Sequence, residues 1–302
     1  MAELRAPVTR LPAPVPPTRP EYIRDVIAGG DIGVVQKPLT VFQRLANQGW
    51  LRKAVILVVI AVAWEAYAQR LNNPLLVPTF SATIEAFWGG IVNGDIPQKV
   101  SNSVQLLLKG YALGLALAMT LTALAIMSRI GTDLLETLTS AFNPLPAIAL
   151  LPLALIWFGL GDASIMFVLV HSVLWAVALN THSGFRSVSN TLRMVGRNYG
   201  LRGISFVTKI LIPAAFPSIL TGLKIGWAFA WRTIIAAEMV FGVAGSQGGL
   251  GWFIYQNRFE MNTDLVFAGL LTVIVIGLVV ENFVFRWLER RTVLRWGMSA
   301  SH

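Results

Sequence analysis

The chain contains six long runs of apolar residues that hold few charged side chains. A transmembrane helix needs about 20 mostly apolar residues, because the hydrocarbon core of a bilayer is about 30 Å thick. Of the 302 residues, 55% are hydrophobic and only 13% are charged, whereas about a quarter are charged in a typical soluble domain. The sequence therefore predicts an all-α integral membrane protein with about six transmembrane helices, at residues 52–70, 101–127, 137–160, 163–183, 216–243 and 265–288.

Three prolines interrupt the third predicted span, namely Pro144, Pro146 and Pro152. A proline has no backbone N–H to donate, and it crowds the preceding turn of a helix. Such breaks are tolerated at membrane depth where protein surrounds them or where they line a water-filled cavity. We expect this span to be kinked, or to begin with a short turn outside the membrane.

Positive charge is concentrated on one side of the predicted spans. With the N-terminus inside the cell, cytoplasmic segments hold 18 Lys and Arg residues (8 + 1 + 5 + 4), and outside segments hold only 3. An excess of Lys and Arg marks cytoplasmic loops. Both termini are therefore predicted to be cytoplasmic. This distribution also accounts for the net charge of +9, so we expect contact with membrane lipid and no nucleic-acid partner.

The first 50 residues differ from the rest in composition. The stretch 12–20 is rich in proline and cannot pack a core, which favours extended chain. From Leu39 onward, apolar residues recur at helical spacing beside basic residues, which predicts a short amphipathic helix on the cytoplasmic membrane surface. A solvated helix or a disordered lead-in is the open alternative. We divide the chain into a cytoplasmic tail with this helix (1–50), a transmembrane domain (51–290) and a cytoplasmic C-terminal tail (291–302).

The segment Met194–Pro213 lies between the fourth and fifth predicted spans, on the cytoplasmic side. Connections of this length usually carry function, since ordinary ones have about 4–6 residues. Arg193 and Arg197 are four residues apart and would share one helix face, and Arg202 follows Gly200 closely. Such a face suits an acidic partner surface or lipid headgroups, although the positive-inside rule alone could explain the arginines. Apolar residues at helical spacing, namely Ile204, Val207, Ile210 and Leu211, are expected to pack under the membrane bundle.

This segment resembles the EAA motif of ABC-transporter permease subunits. The motif has Glu-Ala-Ala, three residues, Gly, nine residues, Ile, one residue, Leu and Pro; here Gly200, Ile210, Ile212 and Pro213 match it. Met194, Val195 and Gly196 replace its Glu-Ala-Ala. Other stretches are similar to the nitrate/sulfonate/taurine subfamily of these permeases, namely 76–83, 156–161, 180–188, 213–222, 236–239 and 263–269.

The resemblance implies a type I ABC importer permease fold with an EAA-type coupling loop. It implies several partners: two cytoplasmic ATP-binding subunits, a second permease copy that forms a homodimer with this chain, and a periplasmic or extracellular solute-binding protein. The location implied is the bacterial inner membrane, and the solute implied is a small anion similar to a sulfonate, taurine or nitrate, with neutral solutes left open. Residues expected to contact the ATPase are Arg193, Arg197, Asn198, Tyr199, Gly200, Leu201, Arg202 and Pro213. ATP and Mg²⁺ would be bound by the partner ATPase, with no cofactor on this chain.

The chain offers little material for chemistry of its own. It has no cysteine and only three histidines, which are far apart. No Gly-Lys-Ser/Thr triplet occurs, so a phosphate-binding P-loop is not expected. We therefore expect a transport subunit and not an enzyme. An ion-coupled secondary transporter that works without an ATPase is the alternative.

Several ionisable residues fall inside predicted spans, where pairing is the first explanation to consider. Depths counted at about 1.5 Å per residue match Lys224 with Glu281. They also match Lys109 with Glu238, and Glu65 is a competing partner for Lys109. We expect structural pairs or local hydrogen bonds at these positions.

Arg232 is the exception, because no acidic residue is predicted at its depth. An unpaired arginine in lipid would raise the free energy of membrane insertion by about 2.5–3.5 kcal/mol. A water-filled pathway for an anion would largely remove this cost. Its alternatives are hydrogen bonds to carbonyl groups freed by the prolines of the third span, or a pair across a dimer. We predict a substrate pathway that includes Arg232, Trp231 and Glu238. His171, alone on an apolar helix, is interpreted as a packing residue.

Overall fold

The structure is a computed structural model that describes residues 48–241 and 248–295. Within those ranges the regular structure is helical throughout, and no strand occurs. The α-helices are α1 Gly49–Leu71, α2 Phe80–Val92, α3 Asp95–Met127, α4 Arg129–Phe142, α5 Leu151–Phe158, α6 Asp162–Ser187, α7 Asn190–Asn198, α8 Gly203–Phe206, α9 Ile212–Phe241, α10 Leu250–Phe259, α11 Thr263–Val279 and α12 Arg286–Glu289. Shorter helical turns join some of them: a 3₁₀ turn at Ala147–Leu150, and π turns at Val207–Leu211, Val280–Phe285 and Arg290–Leu294.

Five stretches of the described chain are long and apolar enough to cross a membrane. These are α1, α3, α6, the continuous helical stretch Gly203–Val240 and the stretch Thr263–Leu294. A sixth span is complete if α4 and α5 are counted as one broken helix. The predicted all-α membrane architecture with about six spans is confirmed.

The third span is broken, as its prolines predicted. The two helical pieces, Arg129–Phe142 and Ala147–Phe158, are bent by 87° relative to each other. Pro144 and Pro146 lie in the short connection between them, where neither can donate a ladder hydrogen bond. Pro152 is tolerated in the first turn of α5, where the backbone N–H groups have no partner within the helix.

Two short helices on the predicted outer side were not anticipated. Helix α2 connects the first two spans, and the Thr79 side chain caps it by accepting a hydrogen bond from the Ala82 N–H at 3.2 Å. Helix α10 precedes the last span and packs against α9 and α11. Both are too short to cross a bilayer, so a search for long apolar runs passes over them.

Helices α3, α6 and α9 form the centre of the fold, with α6 packed against both of the others. Small residues bring them close together. A Cβ added at Gly110 would lie 2.7 Å from the Leu169 Cβ, and one added at Gly114 would lie 2.9 Å from the Val173 Cβ. Small residues at these positions let the two helix backbones approach closely, as in other packed membrane helices.

The ion pairs that were predicted between charged residues of the membrane spans do not form with the predicted partners. Lys224 pairs with Glu289 at 2.8 Å and not with Glu281. The last helical stretch continues to Leu294, beyond the predicted end at 288, which places Glu289 within reach. Lys109 is exposed on α3, and Glu238 bonds to other groups that are described below.

Glu65, the expected competitor for Lys109, is bound locally instead. Its carboxylate accepts hydrogen bonds from Gln69 at 2.8 Å and from the Ser81 hydroxyl at 3.0 Å. Depth alone was a poor guide to these partners, because it says nothing about the direction in which a side chain points.

The chain divides into two units, residues 1–56 and 57–302, and the boundary falls within α1. The proline-rich tail and the amphipathic helix expected before residue 48 lie outside the described residues, as does most of the 291–302 tail. The expected domain boundaries therefore stay predictions. Within the second unit, the middle of α1 carries an apolar surface that is 57–67% exposed at Leu57, Val58, Val59 and Ile60, as suits a helix that faces lipid.

Candidate coupling and translocation sites

The predicted coupling segment is a helix, a turn and a second helix instead of an open loop. Helix α7 begins after Ser189, whose hydroxyl accepts a hydrogen bond from the Leu192 N–H at 3.4 Å. A turn follows, and helical structure resumes at Gly203 and continues into the fifth span. We call residues Ser189–Pro213 the coupling segment. The fifth span had been expected to begin only at 216.

Arg193 ties α7 to the end of α6. Its guanidinium donates to the carbonyl oxygens of Phe185 at 2.6 Å and Val188 at 3.2 Å. The last carbonyl groups of a helix lack partners within the helix and carry partial negative charge, so a cation there is stabilising. Arg193 is consequently half-buried, whereas Arg197 is exposed, and the two do not form the exposed pair that their spacing suggested.

Gly200 ends α7 in a left-handed conformation, with φ of +75°. The Leu201 N–H donates to the Gly196 carbonyl at 3.1 Å, and the Gly200 N–H donates to the Arg197 carbonyl at 2.9 Å. This pair of bonds is a Schellman motif, which favours glycine at the left-handed position. A Cβ at Gly200 would meet nothing within 4 Å. The residue is therefore required for the turn and not for close approach.

Close approach occurs instead at Gly196, which sequence reasoning did not single out. A Cβ there would lie 2.9 Å from both Phe206 and Ile210. Gly196 occupies the last of the three positions where the related motif has Glu-Ala-Ala, and a small residue lets α7 rest on the start of the fifth span. Val207 and Leu211 pack into the adjoining apolar cluster as expected, but Ile204 is 82% exposed, contrary to expectation.

Pro213 lies in the first turn of α9, directly after the π turn Val207–Leu211. In that turn the Ile212 N–H donates to the Val207 carbonyl five residues back. Because Pro213 has no N–H, the backbone ladder is already interrupted at this point, and a widened turn accommodates the interruption.

The other residues predicted to contact the ATPase lie at the surface of the coupling segment. These are Arg197, Asn198, Tyr199 and Arg202, with Leu201 half-buried beside them. Tyr199 is 82% exposed. Two cations next to an exposed aromatic ring form a surface that suits an acidic partner, because arginine offers several donors and a charge that is always present.

The three expected pathway residues point to different surroundings. The Trp231 ring N–H donates to the Val273 carbonyl at 3.2 Å, which fixes α9 to α11. Glu238 is 5% exposed and enclosed by protein. Of the three, Arg232 alone lines a cavity described below. Their common role in a pathway stays a prediction.

Glu238 holds together parts of the chain that are far apart in sequence. Its carboxylate accepts hydrogen bonds from the Ser103 hydroxyl and from the Gly251 N–H, each at 2.8 Å. The Leu250 N–H donates to the Ser103 oxygen at the same distance. We call Glu238, Ser103, Leu250 and Gly251 the Glu238 cluster. It joins α9, α3 and the start of α10, and side chains at Gly249 or Gly251 would overlap it.

A cavity of about 200 Å³ lies beside the break in the third span. Three parts of the chain form it: the connection after α4, the middle of α6 and the outer half of α9. Its lining residues are Asn143, Pro144, Leu145, Pro146, Ala147, His171, Ser172, Trp175, Phe229, Arg232 and Thr233. No acidic residue is among them. Arg232 has no hydrogen bond or ion pair with the rest of the described chain.

Two residues of this cavity carry polar atoms without partners. Both ring nitrogens of His171 and the ring nitrogen of Trp175 are buried, and none has a hydrogen-bond partner among the described residues. Such groups are uncommon in folded proteins and call for an explanation. His171 does pack against the rings of Phe142 and Trp175, as interpreted, but its ring nitrogens are not satisfied by the described residues. The sequence signal that could have singled it out is a histidine in the middle of an apolar span, at the depth of Arg232.

The geometry describes a multi-span membrane protein with a basic segment between two spans and a polar cavity beside a broken helix. Residues 107–294 match the family described as "Binding-protein-dependent transport system inner membrane component". The chain belongs to this family of transport permeases, as the resemblance implied.

Three relatives illustrate the family. The chain is 33% identical to a putative ABC transporter permease protein of Methanocaldococcus jannaschii, over 76% of this chain and 85% of the relative. It is 28% identical to the putative aliphatic sulfonates transport permease protein SsuC of Bacillus subtilis, over 82% and 88%. It is also 28% identical to the nitrate import permease protein NrtB of Synechocystis, over 78% and 86%. The family is one of transport subunits and not of enzymes.

Proposed function

We propose that this chain is the membrane-spanning subunit of an ATP-driven importer for a small anionic solute of the sulfonate, taurine or nitrate class. Relatives named for aliphatic sulfonates and for nitrate support this class of solute. Both kinds of solute carry a small oxyanion group, and the cavity beside the third span holds an arginine and no acidic residue.

The working complex would contain more than this chain. Two cytoplasmic ATPase subunits would bind ATP and Mg²⁺, a second permease copy would complete the pathway, and an external binding protein would deliver the solute. The complex would lie in the bacterial inner membrane with both termini of this chain in the cytoplasm, which the distribution of Lys and Arg favours.

The coupling segment is the observation that carries the proposal. Helix α7 presents Arg197 and Tyr199 outward, while Arg193 and Gly196 fasten it to α6 and to the start of the fifth span. An ATPase that holds the exposed face could therefore move two spans by moving one short helix. Such rigid-body movement of helices is a recognised way of changing which side of a transporter is open.

The test is reconstitution of the chain in lipid vesicles together with its ATPase subunits and binding protein. We expect uptake of labelled taurine or nitrate that requires ATP, the ATPase and the binding protein together. The control is the chain alone in vesicles with imposed proton and sodium gradients. Gradient-driven uptake by the chain alone would establish the secondary-transporter alternative and overturn the proposal.

A further inference from the structure

We infer that the cavity lined by Arg232, His171 and Trp175 binds the oxyanion group of the solute as it crosses the membrane. Arg232 supplies the charge, and the ring N–H groups of His171 and Trp175 supply hydrogen bonds. The inference rests on the proposed function and deepens it, since it assigns the solute a site on this chain.

The position of the cavity is the first argument. Arg232 lies nine residues before the end of α9 and His171 nine residues after the start of α6. At about 1.5 Å per residue, each is about 14 Å from the outer end of its helix, close to the middle of a bilayer core of about 30 Å.

The broken third span is the second argument. The connection Asn143–Pro146 interrupts the helix at the wall of the cavity. Irregular backbone at membrane depth is tolerated where protein covers it or where it lines a water-filled cavity. Transporter binding sites are typically found near the bilayer midplane, where helices are discontinuous.

The chemistry of the lining is the third argument. A guanidinium group and an indole N–H can donate hydrogen bonds but cannot accept them. Trp175 is 8% exposed, and its ring nitrogen has no partner among the described residues. A ligand that satisfies Trp175 and Arg232 together must therefore be an acceptor, and a negatively charged acceptor also balances the arginine. Sulfonate and nitrate groups meet both requirements.

The donors are held in place by ring packing. Trp175 stacks on Phe142 with ring centres 5.4 Å apart and planes at 11°. The His171 ring meets the edge of Trp175 at 6.2 Å. Rings fixed in this way keep their donors oriented, as a binding site requires. The volume of about 200 Å³ is below the 300 Å³ or so of pockets for drug-sized ligands, which favours a small solute.

The natural chain has no cysteine, so a single introduced thiol reports its own surroundings. We would make Thr233→Cys in the cavity wall and, in case that variant folds poorly, Ala147→Cys, which lines the cavity from another part of the chain. The assembled transporter, with its ATPase subunits, would be treated with sulfonatoethyl methanethiosulfonate, which is anionic, and with the trimethylammonioethyl reagent, which is cationic. Asn73→Cys, in the exposed connection between α1 and α2, is the accessible control.

For each thiol we would take the ratio of the labelling rate with the anionic reagent to the rate with the cationic reagent. We expect this ratio to be about tenfold higher at the cavity thiol than at the control thiol, because a charged cleft concentrates counter-ions. Adding Arg232→Gln to the cysteine variant should abolish this preference. In the variant that keeps Arg232, taurine or nitrate should slow the labelling of the cavity thiol. Equal preference at both thiols, or no labelling with or without ATP, would overturn the inference.

Uptake by the unmodified transporter is measured in parallel. Normal anion uptake without a labelling preference refutes the site alone, whereas preference without anion uptake refutes the proposed function and leaves the anion site standing.

Discussion

The coupling segment takes its polar contacts from one continuous part of the chain, residues 185–213, whereas two polar sites among the membrane spans combine distant parts. These two sites are the Glu238 cluster and the cavity. Glu238 meets Ser103, which is 135 residues away, and the cavity joins residues near 145, 171 and 232. The segment exposes its charges, whereas the Glu238 carboxylate is enclosed by protein.

This difference separates two kinds of sensitivity to mutation. Exposed charges contribute little to stability, because water solvates them in the folded and unfolded chain alike. Enclosed polar groups cost free energy whenever a partner is removed or displaced. We therefore expect charge changes in the coupling segment to affect transport without affecting folding, and changes in the Glu238 cluster to affect folding first.

Gly251→Val is expected to have the largest effect. A side chain at Gly251 would overlap the Ile235 carbonyl oxygen and the Glu238 side chain. We expect destabilisation of about 3 kcal/mol or more and loss of monodisperse protein, measured by size-exclusion chromatography after heating in detergent. Gly89→Ala on α2 is the matched control, because a Cβ there meets nothing within 4 Å. Equal behaviour of the two variants would show that the close packing around Glu238 is not needed for folding.

Reversing the exposed charges of the coupling segment should have the next largest effect. We expect Arg197→Glu combined with Arg202→Glu to lower ATP-driven uptake by at least about tenfold, the equivalent of 1.4 kcal/mol. Its thermal stability should change by no more than about 0.5 kcal/mol, as for other surface substitutions. Uptake and ATP hydrolysis would be measured on the same vesicles. Arg129→Glu, exposed at the start of α4, is the control, and full coupling in the double variant would contradict a docking role.

Trp175→Phe tests the cavity with a smaller change. The substitution keeps an aromatic ring against Phe142 and removes the ring N–H. We expect uptake to fall about fivefold, since one hydrogen bond contributes about 1 kcal/mol, with solute affinity of the binding protein unchanged. Trp227→Phe is the control, because Trp227 packs against Tyr111 and Phe285 and does not line the cavity. An equal loss in both variants would assign the effect to general packing.

Gly200→Ala should destabilise the chain less than Gly251→Val does. An L-residue in a left-handed conformation costs about 1–2 kcal/mol, and no steric clash adds to it. In a protein of this size that corresponds to a fall in Tm of about 2–8 °C, measured by heating purified transporter, with Gly89→Ala again as the control. An unchanged Tm would indicate that α7 can end without the Schellman motif.

The sequence predicted those features that depend on neighbouring residues. The six spans follow from apolar length, and the broken third span follows from Pro144 and Pro146. The position of the coupling segment follows from charge and from Gly200. Each of these signals is local in the sequence, so it can be recognised without knowledge of how the helices pack.

The partners of buried polar groups could not be predicted in the same way. Depth matched Lys109 with Glu238, yet Ser103, six residues earlier on the same helix, bonds to Glu238 and Lys109 is exposed. Depth fixes only one coordinate of a side chain, and the rotation of the helix supplies the other. For the same reason His171 could be noticed in the sequence, whereas its lack of a partner could be seen only in the packed structure.

The attachment of α7 at two points has a mechanical consequence. Arg193 bonds it to the end of α6, and Gly196 seats it on the start of the fifth span. Those two spans also line the cavity, with His171 and Trp175 on one and Arg232 on the other. If the coupling segment docks an ATPase and the cavity binds an anion, as proposed, a displacement of α7 would shift these two spans relative to each other at mid-membrane. The hold on the anion would then be tightened or released from the cytoplasmic side.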